Sequence, residues 1–509
     1  MRKDTERYYK EKLRILEGGP SKYHHHNESS GKFFVRKRIE MLFDPGTIIE
    51  DGLFANAEEP SLPADGCVTG IGEINGKTVC FLAADSTVKA GSWGAKSVEK
   101  NIRIQEKAID LKIPILYLID SAGARITDQL DVFPGRRHGG KIFYNMVQMS
   151  GVVPQICVLF GPSPAGSAYI PAFSDLVIMI EGNSSAYLGS PRMVEMAIGE
   201  KTTMDKMGGA RMHCSISGLG DILVQSEEEA IAAIKKYLEY MPQNFEEVPE
   251  IKEAKPPKEG RGLEEIIPEN NNTPFNMYEL IDQLIDEGSW FEYKELFAPE
   301  IITGFARMGG KVIGLVANQS KVKGGTLFVD SPDKAARFIW ICNAYQIPLV
   351  FLSDVPGYMI GTKVEQAGII RHGAKMITAM SEATVPKISV VVRKCFGAGL
   401  YAMSGPAFGA DAVLSLPSGQ IAVMGPEAAV NAVYYNKIQE IPEEEKAVFI
   451  GEKRREYAEN IDIHRLASKL IIDDIVGFDE LRGELIRRFN VYRTKKTSGL
   501  QKRNAIHPV

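Results

Sequence analysis

Two short glycine-containing segments carry the residues whose types and spacing best suit chemistry. The later one is VPKISVVVRKCFGAGLYAM, Val385 to Met403, in which the apolar run Ile388 to Val392 precedes Gly397-Ala398-Gly399. Continuous apolar runs are typical of buried parallel strands, and small residues between a strand and a helix leave backbone N–H groups free to point at a ligand. Such a turn can hold an oxyanion, although many α/β proteins have glycines there for packing alone.

The same segment occurs earlier in the chain, as VPQICVLFGPSPAGSAYIP. When Tyr169 is aligned with Tyr401, 232 residues later, Gly166 falls on Ala398 and Ser167 falls on Gly399. Further upstream the spacing is 234 residues, and it aligns Val88–Ser92 with Val322–Thr326, Lys100 with Lys334, Arg103 with Arg337, and Asp120–Gly123 with Asp354–Gly357. This many features at nearly one spacing indicate an internal duplication.

Length and composition agree with a duplicated chain of ordinary charge. A chain of 509 residues is long enough for two or more domains, and its net charge of −5 does not favour a nucleic-acid partner. No apolar run reaches the ~18 residues of a membrane span, and the charged first residues are unlike a signal peptide, so we expect a cytoplasmic protein. Six scattered cysteines are expected to be reduced and buried, without a metal site.

Alternating strand and helix patterns predict an α/β fold in each half. Asn75-Gly76 and Gly309-Gly310 mark hairpins, and the stretch from Lys96 to Asp110 has helical periodicity that places Lys100 and Arg103 on one face. The stretch Pro242 to Met277, rich in Pro, Glu, Lys and Asn, is typical of a linker. We therefore predict domains at residues 1–260 and 270–509, with a basic tail from residue 494 onward.

Most familiar catalytic motifs are absent from the sequence. It has no GxxxxGK[ST] phosphate loop, no Gly-x-Ser-x-Gly elbow, and no HExxH or CxxC metal pattern. The two glycine-containing turns remain, and their backbone amides suit a reaction that needs an oxyanion hole and few side chains.

At these turns the chain resembles the carboxyltransferase (β) subunit of biotin-dependent acyl-CoA carboxylases, over nearly its whole length. DVPGYMIGT (Asp354 to Thr362) and GIIRHGAKM (Gly368 to Met376) are similar to the propionyl-CoA carboxylase branch. DVFPGRRHGGKIFYN (Asp131 to Asn145), GGARMHCSISG (Gly208 to Gly218) and FGAGLYAMSG (Phe396 to Gly405) are similar to the methylcrotonyl-CoA carboxylase branch. The resemblance implies two tandem crotonase-like ββα-spiral domains, and it leaves propionyl-CoA, acetyl-CoA and 3-methylcrotonyl-CoA open as substrates.

The resemblance also implies roles for the turn residues. The amides of Ala398 and Gly399 match the family's biotin-side oxyanion hole, and those of Gly166 and Ser167 match the hole for the thioester enolate. Many relatives have glycine where this chain has Ser167, whose side chain is expected to reshape the acyl pocket. Gly399→Pro, which deletes an N–H, is expected to abolish transfer involving biotin, and Gly399→Ala is expected to do less harm.

Three further residues are candidate cofactor contacts. Lys100 and Arg103 suit the phosphates of coenzyme A, with a solvated helix face as the alternative. Tyr401 falls where the family tunes acyl preference. The implied partners are a biotin carboxylase and a biotin carboxyl carrier subunit, since biotin is held covalently by a partner protein, and dimers of this chain are expected to assemble into a hexamer.

Two other functions fit the same sequence. One is the carboxyltransferase subunit of a sodium-pumping acyl-CoA decarboxylase, which runs the transfer in reverse. The other is a non-catalytic assembly subunit, and the intact glycines of both turns argue against it.

Overall fold

An antiparallel hairpin opens the sheet of each half in the computed structural model, which describes residues 1–495, 499 and 505–508. Both predicted hairpin turns are confirmed. Asn75 and Gly76 have φ of 50° and 76°, and Gly309 and Gly310 have φ of 59° and 77°. Two consecutive residues with positive φ form the turn whose twist matches that of the flanking strands.

The chain divides into two units, Met1–Val248 and Pro249–Val509. The helices of the first unit are α1 (Lys3–Leu16), α2 (Ser21–Ser29), α3 (Val35–Leu42), α4 (Ala95–Leu111), α5 (Gln129–Val132), α6 (Gly139–Met149), α7 (Tyr169–Phe173), α8 (Pro191–Ile198), α9 (Met204–Gly208), α10 (Ala210–Met212) and α11 (Glu227–Leu238). Its strands are β1 (Ile49–Asp51), β2 (Cys67–Ile74), β3 (Lys77–Ala84), β4 (Ile115–Ile119), β5 (Gln155–Leu159), β6 (Pro162–Pro164), β7 (Leu176–Ile180), β8 (Ser185–Tyr187) and β9 (Ile222–Val224).

The second unit has a matching set of elements. Its helices are α12 (Leu263–Ile266), α13 (Met277–Leu284), α14 (Asp330–Ala344), α15 (Thr362–Gln366), α16 (Ile369–Glu382), α17 (Ala398–Ala402), α18 (Pro426–Glu440), α19 (Glu443–Asn460), α20 (Ile463–Ser468) and α21 (Leu481–Tyr492). Its strands are β10 (Phe291–Glu292), β11 (Ile301–Met308), β12 (Lys311–Asn318), β13 (Leu349–Val355), β14 (Lys387–Phe396), β15 (Ala412–Ser415), β16 (Gln420–Ala422) and β17 (Asp474–Ile475). The predicted basic tail from residue 494 lies largely outside the described residues.

The two main sheets have the same topology. The first runs β1-β2-β3-β4-β5-β7-β9 and the second runs β10-β11-β12-β13-β14-β15-β17, so each position in one order has its repeat mate in the other. In both sheets the opening strands pair antiparallel and the later strands pair parallel. Every residue of β4, β5, β7 and β13 is buried, as continuous apolar runs predict for parallel strands covered on both faces.

Unusual backbone angles repeat at the predicted spacing. Lys89 and Ala90 have φ of 47° and 52°, and their mates Lys323 and Gly324 have φ of 49° and 67°. A residue other than glycine adopts a positive φ only at a cost in conformational energy. Positive φ angles at matching positions are therefore not expected by chance. Together with the strand orders, these angles confirm the internal duplication.

The stretch from Pro242 to Met277 differs from the predicted linker. From residue 249 onward it belongs to the second unit. Leu263, Ile266 and Phe275 are at most 6% exposed and pack into that unit's hydrophobic core. Their apolar side chains explain why a stretch with linker-like composition folds against the sheet.

Candidate functional site

The second-half turn joins β14 to α17. Gly397 has φ 55° and ψ −139°, a conformation open to glycine, and it turns the chain into the helix. The amides of Ala398 and Gly399 lie in the first helical turn, where no intrahelical acceptor exists, and they have no other acceptor among the described residues. Ala398 is exposed. Two adjacent N–H donors are therefore available to an anion at this turn.

The backbone at Gly399 is too close to neighbouring atoms to leave room for a side chain. A Cβ there would lie 2.9 Å from Cγ1 and from Cγ2 of Val355 and 3.3 Å from the Cα of Gly357. An added methyl group would therefore have to displace the Val355 side chain or the turn, and that Gly399→Ala does less harm than Gly399→Pro stays a prediction.

The first-half turn, Ala165-Gly166-Ser167, differs from Gly397-Ala398-Gly399 at all three positions. Ala165 has φ 52°, like its mate Gly397, and begins a 3-10 turn that spans Ala165–Ala168. Gly166 is exposed, and its amide has no acceptor among the described residues. A Cβ at Gly166 would meet only Cζ of Phe143, at 4.0 Å, so this position tolerates a methyl group.

The side chain of Ser167 points into the protein. Its Oγ donates to the carbonyl of Pro164 at 2.6 Å, and Ser163 Oγ donates to the carbonyl of Ser167 at 2.9 Å. Ser167 is 1% exposed. The hydroxyl therefore stabilises the turn from the protein side, and its effect on an acyl pocket stays a prediction.

A cavity of about 1030 Å³ lies at the carboxyl ends of β3 and β4 in the first unit. It is lined by Ala90, Ser121 and Pro162, the last of which begins the strand that leads into the Gly166 turn. Parallel sheets bind ligands at this edge. Sequence reasoning did not assign Lys89, an exposed lysine on the cavity wall, although its repetition as Lys323 was a signal of a special turn.

The structure corrects the predicted contact between Lys100 and the phosphates of coenzyme A. It is 5% exposed, its Nζ donates to the carbonyl of Ala64 at 3.2 Å and to that of Cys67, and burial lowers its pKa. Its mate Lys334 is fully buried, with Nζ donating to the carbonyl of Ala298, the mate of Ala64, at 3.4 Å. Both alanines have positive φ. The two lysines hold equivalent strained turns and are not available to phosphates.

Arg103 is placed differently. It is exposed and makes no ion pair within the described part of the chain. It lines a second cavity, of about 720 Å³, together with Lys12, Lys96 and the buried Lys100. Its assignment to the coenzyme A phosphates stays a prediction.

Lys100→Met is expected to lower the free energy of unfolding by about 1–3 kcal/mol, because two carbonyl oxygens lose their donor. The KM for acyl-CoA is expected to stay unchanged. Denaturant unfolding and steady-state kinetics measure the two quantities. Arg103→Met is the matched control on the same helix, and it should leave stability unchanged. A Lys100→Met protein of full stability with a raised KM would restore the phosphate assignment.

An exposed tyrosine follows each turn. Tyr401 is 49% exposed, with its ring 5.3 Å from that of Phe408, and Tyr169 is 47% exposed, with its ring 6.1 Å from that of Phe143. Each turn therefore has an aromatic wall beside its free amides.

The six cysteines are free and buried, as predicted. Burial raises the pKa of Cys67 to about 11 and that of Cys395 to about 12. Thiolate, the reactive form, is therefore scarce at neutral pH.

Native protein at pH 8 is accordingly expected to react with iodoacetamide at none of its six thiols, and to keep its activity. After unfolding, all six should react. Mass spectrometry counts the modified sites. A thiol that reacts quickly in the native state, or a folded Cys395→Ser variant without turnover, would contradict this account.

Within the described ranges, no helix is long and apolar enough to cross a membrane. The same residues contain no cluster of three or more side chains suited to a metal ion.

Comparison with known proteins gives matches along the whole chain. The family model of the carboxyl transferase domain matches residues 26–506. A Bacillus subtilis (strain 168) protein, named as an uncharacterized carboxylase, is 62% identical over 97% of this chain and 97% of its own. The carboxyltransferase subunit of propionyl-CoA carboxylase from Haloferax mediterranei is 36% identical, again over 97% of each chain.

Among solved structures, transcarboxylase 12S superposes with a TM-score of 0.93. That structure is described as a hexamer assembly with methylmalonyl-coenzyme A and methylmalonic acid bound, and the match covers 99% of this chain and 98% of that one at 34% identity. The predicted fold class, α/β with two tandem crotonase-like domains, is confirmed.

Proposed function

Since the chain belongs to the carboxyl transferase family, we propose that it moves a carboxyl group between carboxybiotin on a partner protein and a short-chain acyl-CoA. The observation that carries the proposal is the pair of repeated turns, each with backbone amides that lack an acceptor among the described residues. Propionyl-CoA is the first candidate substrate, because the methylmalonyl group bound in transcarboxylase 12S is its carboxylated form. Acetyl-CoA and 3-methylcrotonyl-CoA are the other candidates.

The second-half turn suits biotin. Carboxybiotin on the partner protein would supply CO2, and its ureido group would accept the α-proton of the acyl-CoA. The amides of Ala398 and Gly399 are the donors that we assign to the ureido oxygen, and their fit rests on the two adjacent free N–H groups at a helix start. No protein side chain has to act as the base.

The first-half turn suits the thioester. The amide of Gly166, with that of Ser167 next to it, is assigned to the thioester oxygen as the enolate forms. Donors that are fixed before the reaction stabilise this charge without reorganising. The bracing hydrogen bonds of Ser163 and Ser167 hold the turn in place. The adjoining cavity of about 1030 Å³ has room for the coenzyme A moiety.

We assign one residue to the acyl group and one to the coenzyme A phosphates, because both side chains are exposed. Tyr401 is assigned to the wall of the acyl-binding pocket, because the residue is 49% exposed and lies three residues after Ala398. Arg103 is assigned to the phosphates of coenzyme A as an exposed cation without an ion pair in the described part of the first unit, although it lines the cavity of about 720 Å³ and not the one of about 1030 Å³.

The chain is proposed to act as an oligomer with a biotin-bearing partner. Two-fold dimers would pair the first half of one chain with the second half of its mate, so that each acyl-CoA turn meets a biotin turn. Such dimers are proposed to assemble into a hexamer, the assembly described for transcarboxylase 12S. The partner is proposed to be a biotin carboxylase and biotin carboxyl carrier subunit. Free thiols at all six cysteines favour a reducing compartment, the cytoplasm.

A carboxylation assay tests the proposal. The chain is mixed with a biotin carboxylase, its biotinylated carrier, ATP and bicarbonate, and supplied with acetyl-CoA, propionyl-CoA or 3-methylcrotonyl-CoA. We expect one of the three to be carboxylated with the highest kcat/KM. The decarboxylase alternative predicts little net carboxylation and efficient decarboxylation of the corresponding product. A folded chain inactive in both directions would overturn both.

A further inference from the structure

An irregularity in the second sheet lies directly before the biotin-side turn. Ser353 of β13 pairs with Val391 of β14, yet Val355 pairs with Cys395. One residue of β13, Asp354, therefore faces three residues of β14, Val392 to Lys394. Bulges of this kind bend a strand and re-aim the segment that follows, which here is Gly397-Ala398-Gly399.

The carboxylate of Asp354 occupies this bulge. Its Oδ2 accepts from Nη2 of Arg393 at 2.7 Å, and its Oδ1 accepts from the amide of Lys394 at 3.3 Å. The side chains of Asp354 and Arg393 are 0% exposed. Arg393 reaches further, since its Nη1 donates to the carbonyl of Thr273 at 2.9 Å and its guanidinium lies 4.6 Å from the ring of Phe275. The bulge is thus held from both sides.

The residues that follow Asp354 contact the Gly397-Ala398-Gly399 turn. A Cβ at Gly399 would lie 2.9 Å from the methyl carbons of Val355 and 3.3 Å from the Cα of Gly357, so the turn rests on the end of β13. The carboxylate fixes β14 against β13 at the point where that contact is made. The position of the Ala398 and Gly399 amides therefore depends on the Asp354 carboxylate.

The first half has an aspartate at the equivalent strand end, facing different cations. Ile119 pairs with Leu159, its carbonyl accepts the amides of both Phe160 and Gly161, and Asp120 follows directly. The cations that face Asp120 come from outside the strand: Lys32 at 3.2 Å and Arg38 at 3.5 Å.

Gly161 stands at the position that Arg393 occupies in the second half. A Cβ there would lie 1.9 Å from Oδ1 of Asp120, so the carboxylate lies directly against the backbone that follows β5. The two halves thus keep the carboxylate at the strand end, whereas the register shift occurs between β13 and β14 and not between β4 and β5. They also differ in where the positive charge comes from.

A contribution to folding stability does not by itself explain the buried ion pairs of Asp354 and Asp120. Desolvating two charges is costly, and a buried ion pair can often be replaced by apolar residues without loss of stability. We infer that Asp354 and Asp120 are positioning residues, whose carboxylates fix the strand ends that set the amide donors of the biotin-side and acyl-CoA-side turns. The inference rests on the proposed function, because it assigns each aspartate to one of the two substrates.

The test replaces the second-half pair by apolar side chains, Asp354→Leu with Arg393→Met, and compares it with Asp120→Asn. Carboxyl transfer from methylmalonyl-CoA to free biotin gives kcat and a KM for each substrate. For the double variant we expect a melting temperature near that of the parent, a kcat lower by about 10²-fold, a raised KM for biotin and an unchanged KM for methylmalonyl-CoA. For Asp120→Asn we expect the KM for methylmalonyl-CoA to rise and that for biotin to stay unchanged.

The outcomes separate the inference from the proposed function. A parent protein that transfers no carboxyl group from methylmalonyl-CoA, malonyl-CoA or 3-methylglutaconyl-CoA overturns the proposed function, and the inference with it. An active parent with an equally active double variant, or with both KM values changed alike in each variant, overturns the inference alone. If the double variant fails to fold, Asp354→Asn replaces it, because its amide oxygen still accepts the Lys394 N–H, and the same selective change in the biotin KM is required.

Discussion

Ala398→Pro is expected to lower kcat for carboxyl transfer by about 10²–10³-fold, the usual effect of removing one oxyanion-hole donor. Proline at the first helical position deletes only an N–H that has no intrahelical acceptor, so the helix should persist. Ala398 already carries a Cβ and is exposed, so the added ring meets solvent. Gly399→Pro would be ambiguous, because its Cβ collides with Val355.

Ala398→Ser is the matched control, since it changes the side chain and keeps the N–H. It should retain activity close to that of the parent. Circular dichroism and the melting temperature check that both variants are folded. A folded Ala398→Pro protein with full activity would remove this turn from the chemistry.

Two inactive variants are expected to restore activity when they are combined. Gly166→Pro breaks the acyl-CoA turn and Ala398→Pro breaks the biotin turn. If each site pairs the first half of one chain with the second half of its mate, a mixed dimer has one site with both turns broken and one with both intact. With random assortment about half of the dimers are mixed, so roughly a quarter of the parent activity should return.

Co-expression with two different affinity tags, followed by tandem purification, isolates the mixed assemblies and sharpens the measurement. Gly166→Ala is the control for the first turn, because a methyl group at that position meets only Phe143, at 4.0 Å. If the mixture stays as inactive as each variant alone, the reacting pair of turns belongs to a single chain.

The duplication and the hairpins could be predicted because they depend on local signals. Asn75-Gly76 and Gly309-Gly310 need positive φ, which the residue types themselves favour. The turns at Gly166 and Ala398 were found because the same small residues recur after the same apolar strand. In these places local preference and global fold agree.

Other features depend on tertiary contacts that one sequence does not display. Helical periodicity places Lys100 and Arg103 on one face, but the burial of Lys100 against the carbonyls of Ala64 and Cys67 depends on how the preceding turn folds. The inward hydroxyl of Ser167 depends in the same way on the position of Pro164. The bulge opposite Asp354 is a property of the pairing between two strands, so neither strand shows it alone.

Transfer of a labelled carboxyl group from methylmalonyl-CoA to free biotin tests the central claim most directly, because it needs neither the partner subunit nor ATP. With the parent protein we expect labelled carboxybiotin to accumulate with saturation in both substrates. With Ala398→Pro or Gly166→Pro, both folded, the rate should fall by about 10²-fold or more. The account is contradicted if the folded parent transfers no label from methylmalonyl-CoA, malonyl-CoA or 3-methylglutaconyl-CoA, or if both proline variants transfer it at the parent rate.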